Sequence, residues 1–181
     1  MERLTKIIKM DMIPALGVTE PGAIAFATSR ARSYTKGEIK RINIYLNSGI
    51  YKNAFTCGIP NSTQVGNIFS AALGAVAGKW EKGLLSLEDI NEDDNKKAQK
   101  LIDGHKVFVH IDRIDSEIYI RAIVETDKDT CEVIVKNHHT DIYEIKLNNN
   151  IIFKIEDNKV NDKENISEEI SEITNYTLRY M

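Results

Sequence analysis

Glu132-Val133-Ile134-Val135, preceded by Val107-Phe108-Val109 and Ile118-Tyr119-Ile120 and followed by Ile151-Ile152-Phe153, decides the fold class of this chain. The four runs are short, rich in β-branched and aromatic residues, and split by polar turns, which is the pattern of a strand meander. Cys131 alternates with Val133 and Val135, so the three belong to one face of a half-buried strand. Asn148-Asn149-Asn150 supplies a hairpin turn just before the last run.

Upstream of this region the periodicity becomes helical. Ala23, Ile24, Ala27 and Ala31 form a narrow stripe of small apolar residues, and Pro21 sits where a first helical residue is favoured. Ile42, Ile44 and Leu46 alternate as a strand that Ser48-Gly49 ends, and Tyr51 to Thr63 reads as a loop. Val65, Ile68, Phe69, Ala72, Leu73 and Val76 make a further helix, with Asn61, Ser62 or Thr63 placed to cap it. Gly66, Gly74 and Gly78 within it each cost about 1 kcal/mol against alanine, so a neighbouring helix or a bound substrate packs against the backbone there. Asn91 with Asp94 resembles a capping box for a helix that closes at Gly104. At the ends, Leu4, Ile7, Ile8 and Met12 predict a short amphipathic helix. Asn165 with Glu168 predicts a last one bearing Ile166, Ile170, Ile173 and Tyr176 or Thr177, after a polar linker from Glu156 to Glu164.

The expectation is an α+β chain: N-terminal helices with a strand forming a cleft, then a small β-rich lobe and a C-terminal helix. As domains it divides into a helical lobe over 1–104, a β-rich lobe over 105–155, and a linker with a C-terminal helix over 156–181, or else all three form one domain.

The 181 residues carry a formal net charge of −3, with 42% hydrophobic and 28% charged residues. Lys and Arg are scattered among acids, which argues against nucleic acid as a partner. No window reaches the ~18 apolar residues of a membrane span, and the N-terminus does not lead into a signal-peptide core, so the expected location is the cytoplasm. Cys57 and Cys131, the two cysteines, lie far apart and form no metal-binding spacing.

Three segments, with a weaker fourth, point to a family. They are Leu16-Gly17-Val18-Thr19-Glu20-Pro21-Gly22-Ala23; Ser48-Gly49-Ile50-Tyr51-Lys52-Asn53 with Gly58-Ile59-Pro60 and Gly66; Ala71-Ala72-Leu73-Gly74-Ala75 with Gly83-Leu84; and Asn137-His138-His139-Thr140. In order and spacing they resemble the N-terminal half of the L-cysteine desulfidase / serine dehydratase-like alpha family, also called UPF0597, over most of the chain up to about Ile155. The resemblance implies a β-elimination. A base removes the α-proton of cysteine or serine, and an iron with an open position acts as Lewis acid on the leaving thiol or hydroxyl. The aminoacrylate then hydrolyses to pyruvate and ammonia. The family cofactor is a [4Fe-4S] cluster, with one ligand cysteine where Val18 stands here and the others in a C-terminal half beyond the resemblance. Valine has no lone pair for iron, so no resident cofactor is expected in this chain.

Thr19, Glu20, Lys52 and Asn53 are polar residues on two glycine-bearing loops beside helix N-termini, whose free N–H groups favour carboxylates. An amino-acid substrate there pairs its carboxylate with Lys52 and is hydrogen-bonded by Asn53. Lys52 also serves as a catalytic base if desolvation lowers its pKa. Asn61, His139 and Thr140 complete the candidate substrate-binding set. The plainer alternative makes Thr19 and Glu20 helix-start residues, Lys52 a solvated charge and Asn53 a turn former. Adjacent His138 and His139 at a strand end point to opposite faces, so no metal ligands are assigned. Cys57 is the thiol nearest the Lys52-Asn53 loop, and its neighbours Gly58-Ile59-Pro60 suggest tight packing instead of ligation. Trp80 either covers the rim of the core or anchors a partner.

The expected partners are a small amino acid, cysteine or serine, and either a subunit equivalent to the C-terminal half or a second copy of the chain. Three functions compete: a truncated lyase homologue not catalytic alone, the N-terminal subunit of a split lyase, and a non-catalytic amino-acid- or subunit-binding protein.

Overall fold

Ile42, Ile44 and Leu46 are fully buried along β1 (Ile39–Asn47), the strand from which the sheet grows in both directions. The protein is described by a computed structural model over residues 14–155 together with Thr5 and Met12. The helices expected around Leu4, Ile7 and Ile8 and from Asn165 to Thr177, and the linker between Glu156 and Glu164, lie outside the described residues.

The elements run α1 (Thr19–Ser33), β1, α2 (Ser48–Ala54), α3 (Gly66–Ala77), a 3₁₀ turn (Trp80–Leu85) and α4 (Glu92–Asp103). Five strands follow: β2 (Val107–Arg113), β3 (Tyr119–Thr126), β4 (Thr130–Lys136), β5 (Ile142–Leu147) and β6 (Asn150–Lys154). One six-stranded sheet holds them in the order β2-β1-β3-β4-β5-β6. The β1–β2 pair is parallel and every other pair antiparallel, so the fold is α+β with a mixed sheet. The strands of the two expected lobes thus share one sheet, because β2 and β3 clasp β1 on either side. Pro14–Lys154 forms one compact unit.

Register explains the core. Ile42 faces Val107 on one side and Val124 on the other, and Ile44 faces Val109 and Ala122. With Ile120, Cys131, Val133, Val135 and Ile145 these side chains form a row across the sheet that is buried except at half-buried Val109, on the period-2 pattern read from the sequence. The opposite face is mixed, with Phe108, Ile123 and Ile134 set among Asn43, Arg121 and Glu132. There Tyr45 stacks on His110 with ring centroids 4.7 Å apart, and Arg121 donates to Glu132 at 2.6 Å.

Helix α1 packs on β3, β4 and α3. Its small-residue stripe is what permits this, since a Cβ added at Gly74 of α3 would lie 2.5 Å from the Ala25 carbonyl oxygen. A neighbouring helix, not a substrate, therefore occupies the space that Gly74 leaves. Gly78 plays the same part against Ser29, where a Cβ would come within 2.7 Å.

Local expectations fared unevenly. The capping box is present, with Asn91 Oδ1 accepting from the Asp94 amide at 3.2 Å and Asp94 Oδ2 accepting from the Asn91 amide at 3.2 Å. Asn148 and Asn149 adopt φ of 50° and 68°, the left-handed pair that a two-residue hairpin between β5 and β6 requires. Other readings need correction. Helix α1 starts at Thr19, two residues before Pro21, which still lies in the first turn where its missing N–H costs nothing. Helix α3 starts at Gly66 behind Val65, and none of Asn61, Ser62 or Thr63 caps it. Ser62 instead donates to Asn95 Oδ1 and accepts from the Gln64 amide. Ser48–Ala54 is helix and not loop, anchored by buried Ile50 and Ala54 at i, i+4 spacing. Strand β5 was not anticipated. Trp80 is half-buried, with the Arg30 guanidinium 3.6 Å from its ring centroid. No helix among the described residues is long and apolar enough to cross a membrane.

Candidate functional site at the start of helix α1

The first turn of α1 opens on Val18, an extended N-cap residue with no side chain able to bond the free amides behind it. Thr19 and Glu20 follow, both half-buried. Glu20 is held from two directions. Asn53 Nδ2 of α2 donates to Glu20 Oε1 at 2.9 Å, and the Thr19 hydroxyl donates to Oε2 at 3.3 Å. His139, on the β4–β5 connection, brings Nε2 to 3.4 Å from Thr19 Oγ1. The tautomer with its hydrogen on Nε2 completes a chain from imidazole to hydroxyl to carboxylate in which each donor has an acceptor.

Burial lowers the His139 pKa below its ordinary value. The Glu20 carboxylate pulls it upward and His138 adds to the lowering. The neutral imidazole therefore prevails at neutral pH. Adjacent His138 goes elsewhere, its Nδ1 lying 2.8 Å from Asp141 Oδ2. The two histidines do part, but on the turn that follows β4 and not on a strand end, so the backbone turn and not strand alternation separates them.

The remaining candidates sit around this group with different attachments. Lys52 is exposed; its carbonyl accepts from the Phe55 amide, while its ammonium group has no hydrogen bond or ion pair among the described residues. Thr140 lies against the 3₁₀ turn, its Cγ2 3.7 Å from the point a Cβ on Gly83 would occupy. That turn in turn meets α1, where Leu84 O is 3.1 Å from a Cβ placed on Gly22. Asn61 does not join the Glu20 group through any hydrogen bond. Its side chain donates to Glu88 O at 2.8 Å, and its carbonyl accepts from Asn95, so it fastens the loop to the start of α4. Asn67 has little signal in the sequence. It is buried and donates to Tyr51 O at 3.1 Å, tying α3 to α2. That signal is an asparagine in the first turn of a helix whose only other polar side chain is Ser70.

The residues near α1 do not fit an iron–sulfur cluster. Val18 offers only hydrocarbon. The Cys57 thiol donates to Asn53 O at 2.6 Å, and Cys131 is inside the sheet, where burial pushes its thiol up to about 12. Among the described residues no three His, Cys, Asp or Glu side chains converge.

Comparison with known proteins places the chain. It is 36% identical over 166 residues to a protein of Clostridium botulinum (strain Langeland), covering 92% of this chain and 38% of that relative. It is 36% identical over 171 residues to a protein of Caldanaerobacter subterraneus subsp. tengcongensis, covering 94% and 40%. A Clostridium perfringens (strain SM101) protein is 35% identical over 168 residues, covering 93% and 39%. All three are UPF0597 proteins. The similarity supports the UPF0597 family for this chain, which spans about two fifths of the length of those relatives. A matched stretch of 166 residues leaves at most 15 of the 181 outside it. Wherever the UPF0597 match begins, it takes in Thr19, Glu20, Asn53 and His139. No family model matches the chain, and no solved structure matches it.

Proposed function

We propose that this UPF0597-type domain recognises a small L-amino acid, cysteine or serine, at the Thr19–Glu20–Asn53–His139 group, and that it is not a complete β-eliminating lyase by itself. The observation that carries the reading is the Glu20 carboxylate, oriented from both oxygens beside first-turn amides for which the N-cap residue Val18 provides no side-chain bond. A zwitterion has a matching distribution of charge. Its ammonium group meets Glu20, and its carboxylate meets the first-turn N–H groups of α1 with exposed Lys52 pairing from outside. Neutral His139 faces the substrate hydroxyl or thiol. Lys52 suits charge pairing better than proton abstraction, because an exposed ammonium is not desolvated.

Turnover through an iron–sulfur centre is not proposed for this chain alone, since Val18 and the two thiols do not supply its ligands. One observation favours a second reading, that of one part of a composite lyase. The UPF0597 relatives carry about three fifths of their length beyond the portion matched here.

Calorimetric titration of the purified chain with L-serine and with L-cysteine under reductant tests the proposal, alongside a pyruvate assay. Saturable binding, weakened about tenfold or more in Glu20→Gln and in Lys52→Ala, is the expected result. Absence of binding, or binding indifferent to Glu20→Gln, overturns it. Pyruvate formed by the chain alone overturns the statement that it is incomplete.

A further inference from the structure

Large exposed apolar side chains lie along the segments that carry the polar group at the start of α1. Leu16 is 39% exposed, Val18 51%, Phe55 58%, Val65 55% and Ile68 44%. Leu16 and Val18 lead into Thr19, and the other three stand where the end of α2 meets the start of α3. Phe55 follows two residues after Asn53, which is bonded to Glu20. The Phe55 carbonyl oxygen is 2.7 Å from where a Cβ on Gly66 would stand, and Gly66 keeps φ of +91° to allow this approach. Val65 is bridged to Gly58, and Ile68 stands one helical turn beyond it. The Cys57 thiol to Asn53 carbonyl bond fastens the loop between them.

Clustered exposure of this kind marks an interaction surface, because isolated apolar side chains at a surface are ordinary but a contiguous rim around a polar centre is not. We infer that this rim is the docking surface for polypeptide equivalent to the remaining three fifths of the UPF0597 relatives, which closes over the Glu20 group and makes it a dry composite site. The inference deepens the composite reading above and rests on it. The occupant follows from the comparison of lengths. Relatives 34–36% identical to this chain over nine tenths of it are more than twice as long, and their additional chain has to meet this domain somewhere. A second copy of the chain fits the rim less well. Symmetric pairing would draw two Glu20 carboxylates toward one desolvated interface, where like charges repel.

Co-expression tests the inference. The tagged full chain is produced together with the part of the Clostridium botulinum (strain Langeland) relative that lies outside the matched stretch, and co-purification is quantified. The same experiment is run with Phe55→Ser, Val65→Glu and, as a control on the exposed apolar edge strand β6, Ile152→Glu. Recovery of the second polypeptide with the wild-type chain and the control, reduced tenfold or more by Phe55→Ser and Val65→Glu, is expected. Circular dichroism confirms that each variant is folded. No recovery with the wild type overturns the inference, as does equal loss in Ile152→Glu or self-association of the chain that the rim variants abolish. Serine titration of the same chains separates the two readings. Rim variants that bind serine but lose the partner support the surface, whereas a chain that captures the partner without binding serine overturns only the amino-acid site.

Discussion

Asn53 Nδ2 donates to Glu20 Oε1 at 2.9 Å, and that bond joins the short helix α2 to the first turn of α1 across 33 residues of sequence. It fixes the direction of a carboxylate that would otherwise rotate at an open helix end. The Thr19 hydroxyl and His139 extend the same line of polar groups to the β4–β5 connection.

Replacing Asn53 by alanine should therefore cost binding more than folding. The asparagine is exposed, so stability is expected to change by less than about 1 kcal/mol in a thermal melt. Serine affinity is expected to fall several-fold in calorimetry as Glu20 loses its orienting donor. Asn53→Asp, which sets a second carboxylate against Glu20, should weaken binding further.

His139 should titrate below 6.5 in the folded chain, because burial disfavours its charged form. The imidazole carbon-bound proton shift in NMR reads this directly, and Glu20→Gln should lower the midpoint further by removing the carboxylate that supports the cation. The sign for stability follows. The unfolded state takes up a proton near the ordinary value while the folded state resists, so the contribution of neutral His139 is complete above about 6.5 and diminishes as pH falls toward the lowered folded value. His139→Gln should flatten the pH dependence of stability in that window. An unchanged profile would show that His139 is not held neutral.

Gly74→Ala tests the close approach of α1 and α3. Helix propensity alone favours alanine by about 1 kcal/mol. A Cβ 2.5 Å from Ala25 O and 2.8 Å from Ala25 Cα cannot be accommodated without parting the helices, so a net loss of about 2–3 kcal/mol is expected in denaturant titration. Gly58→Ala, where nothing lies within 4 Å, should stay near neutral.

The two thiols should separate cleanly in alkylation followed by mass spectrometry. Half-buried Cys57 is expected to react in the native chain. Cys131, buried between Val124 and Leu147 with its thiol pushed up to about 12, should react only on unfolding. Labelling of Cys131 at the native rate of Cys57 would contradict the packing of β4 in the core.

Local chemistry by itself determined a good deal here. The Asn91–Asp94 box, the left-handed Asn148-Asn149 turn, the buried alternation of Cys131, Val133 and Val135, and the α+β class all arise from residues within a few positions of one another. The candidate residues at the start of α1 were also named from the sequence, through resemblance to UPF0597 and not through any local period. Tertiary structure decided the rest. Strand β1 is clasped between a parallel and an antiparallel neighbour, because partner choice depends on long-range burial that strand periodicity does not encode. Strand β5 was hidden because its register shift buries the adjacent Glu144 and Ile145 together, breaking the alternation that announces a strand. Ser48–Ala54 became helix through packing of Ile50 and Ala54 on the core, against the loop-like glycine and asparagine in its sequence. Thr19 and His139, 120 residues apart, meet only once the sheet carries the β4–β5 turn back to α1. Lys52 and Asn61 come from one stretch of sequence, and the fold gives them different attachments: the Lys52 ammonium is open to solvent, and Asn61 fastens its loop to Glu88 and Asn95.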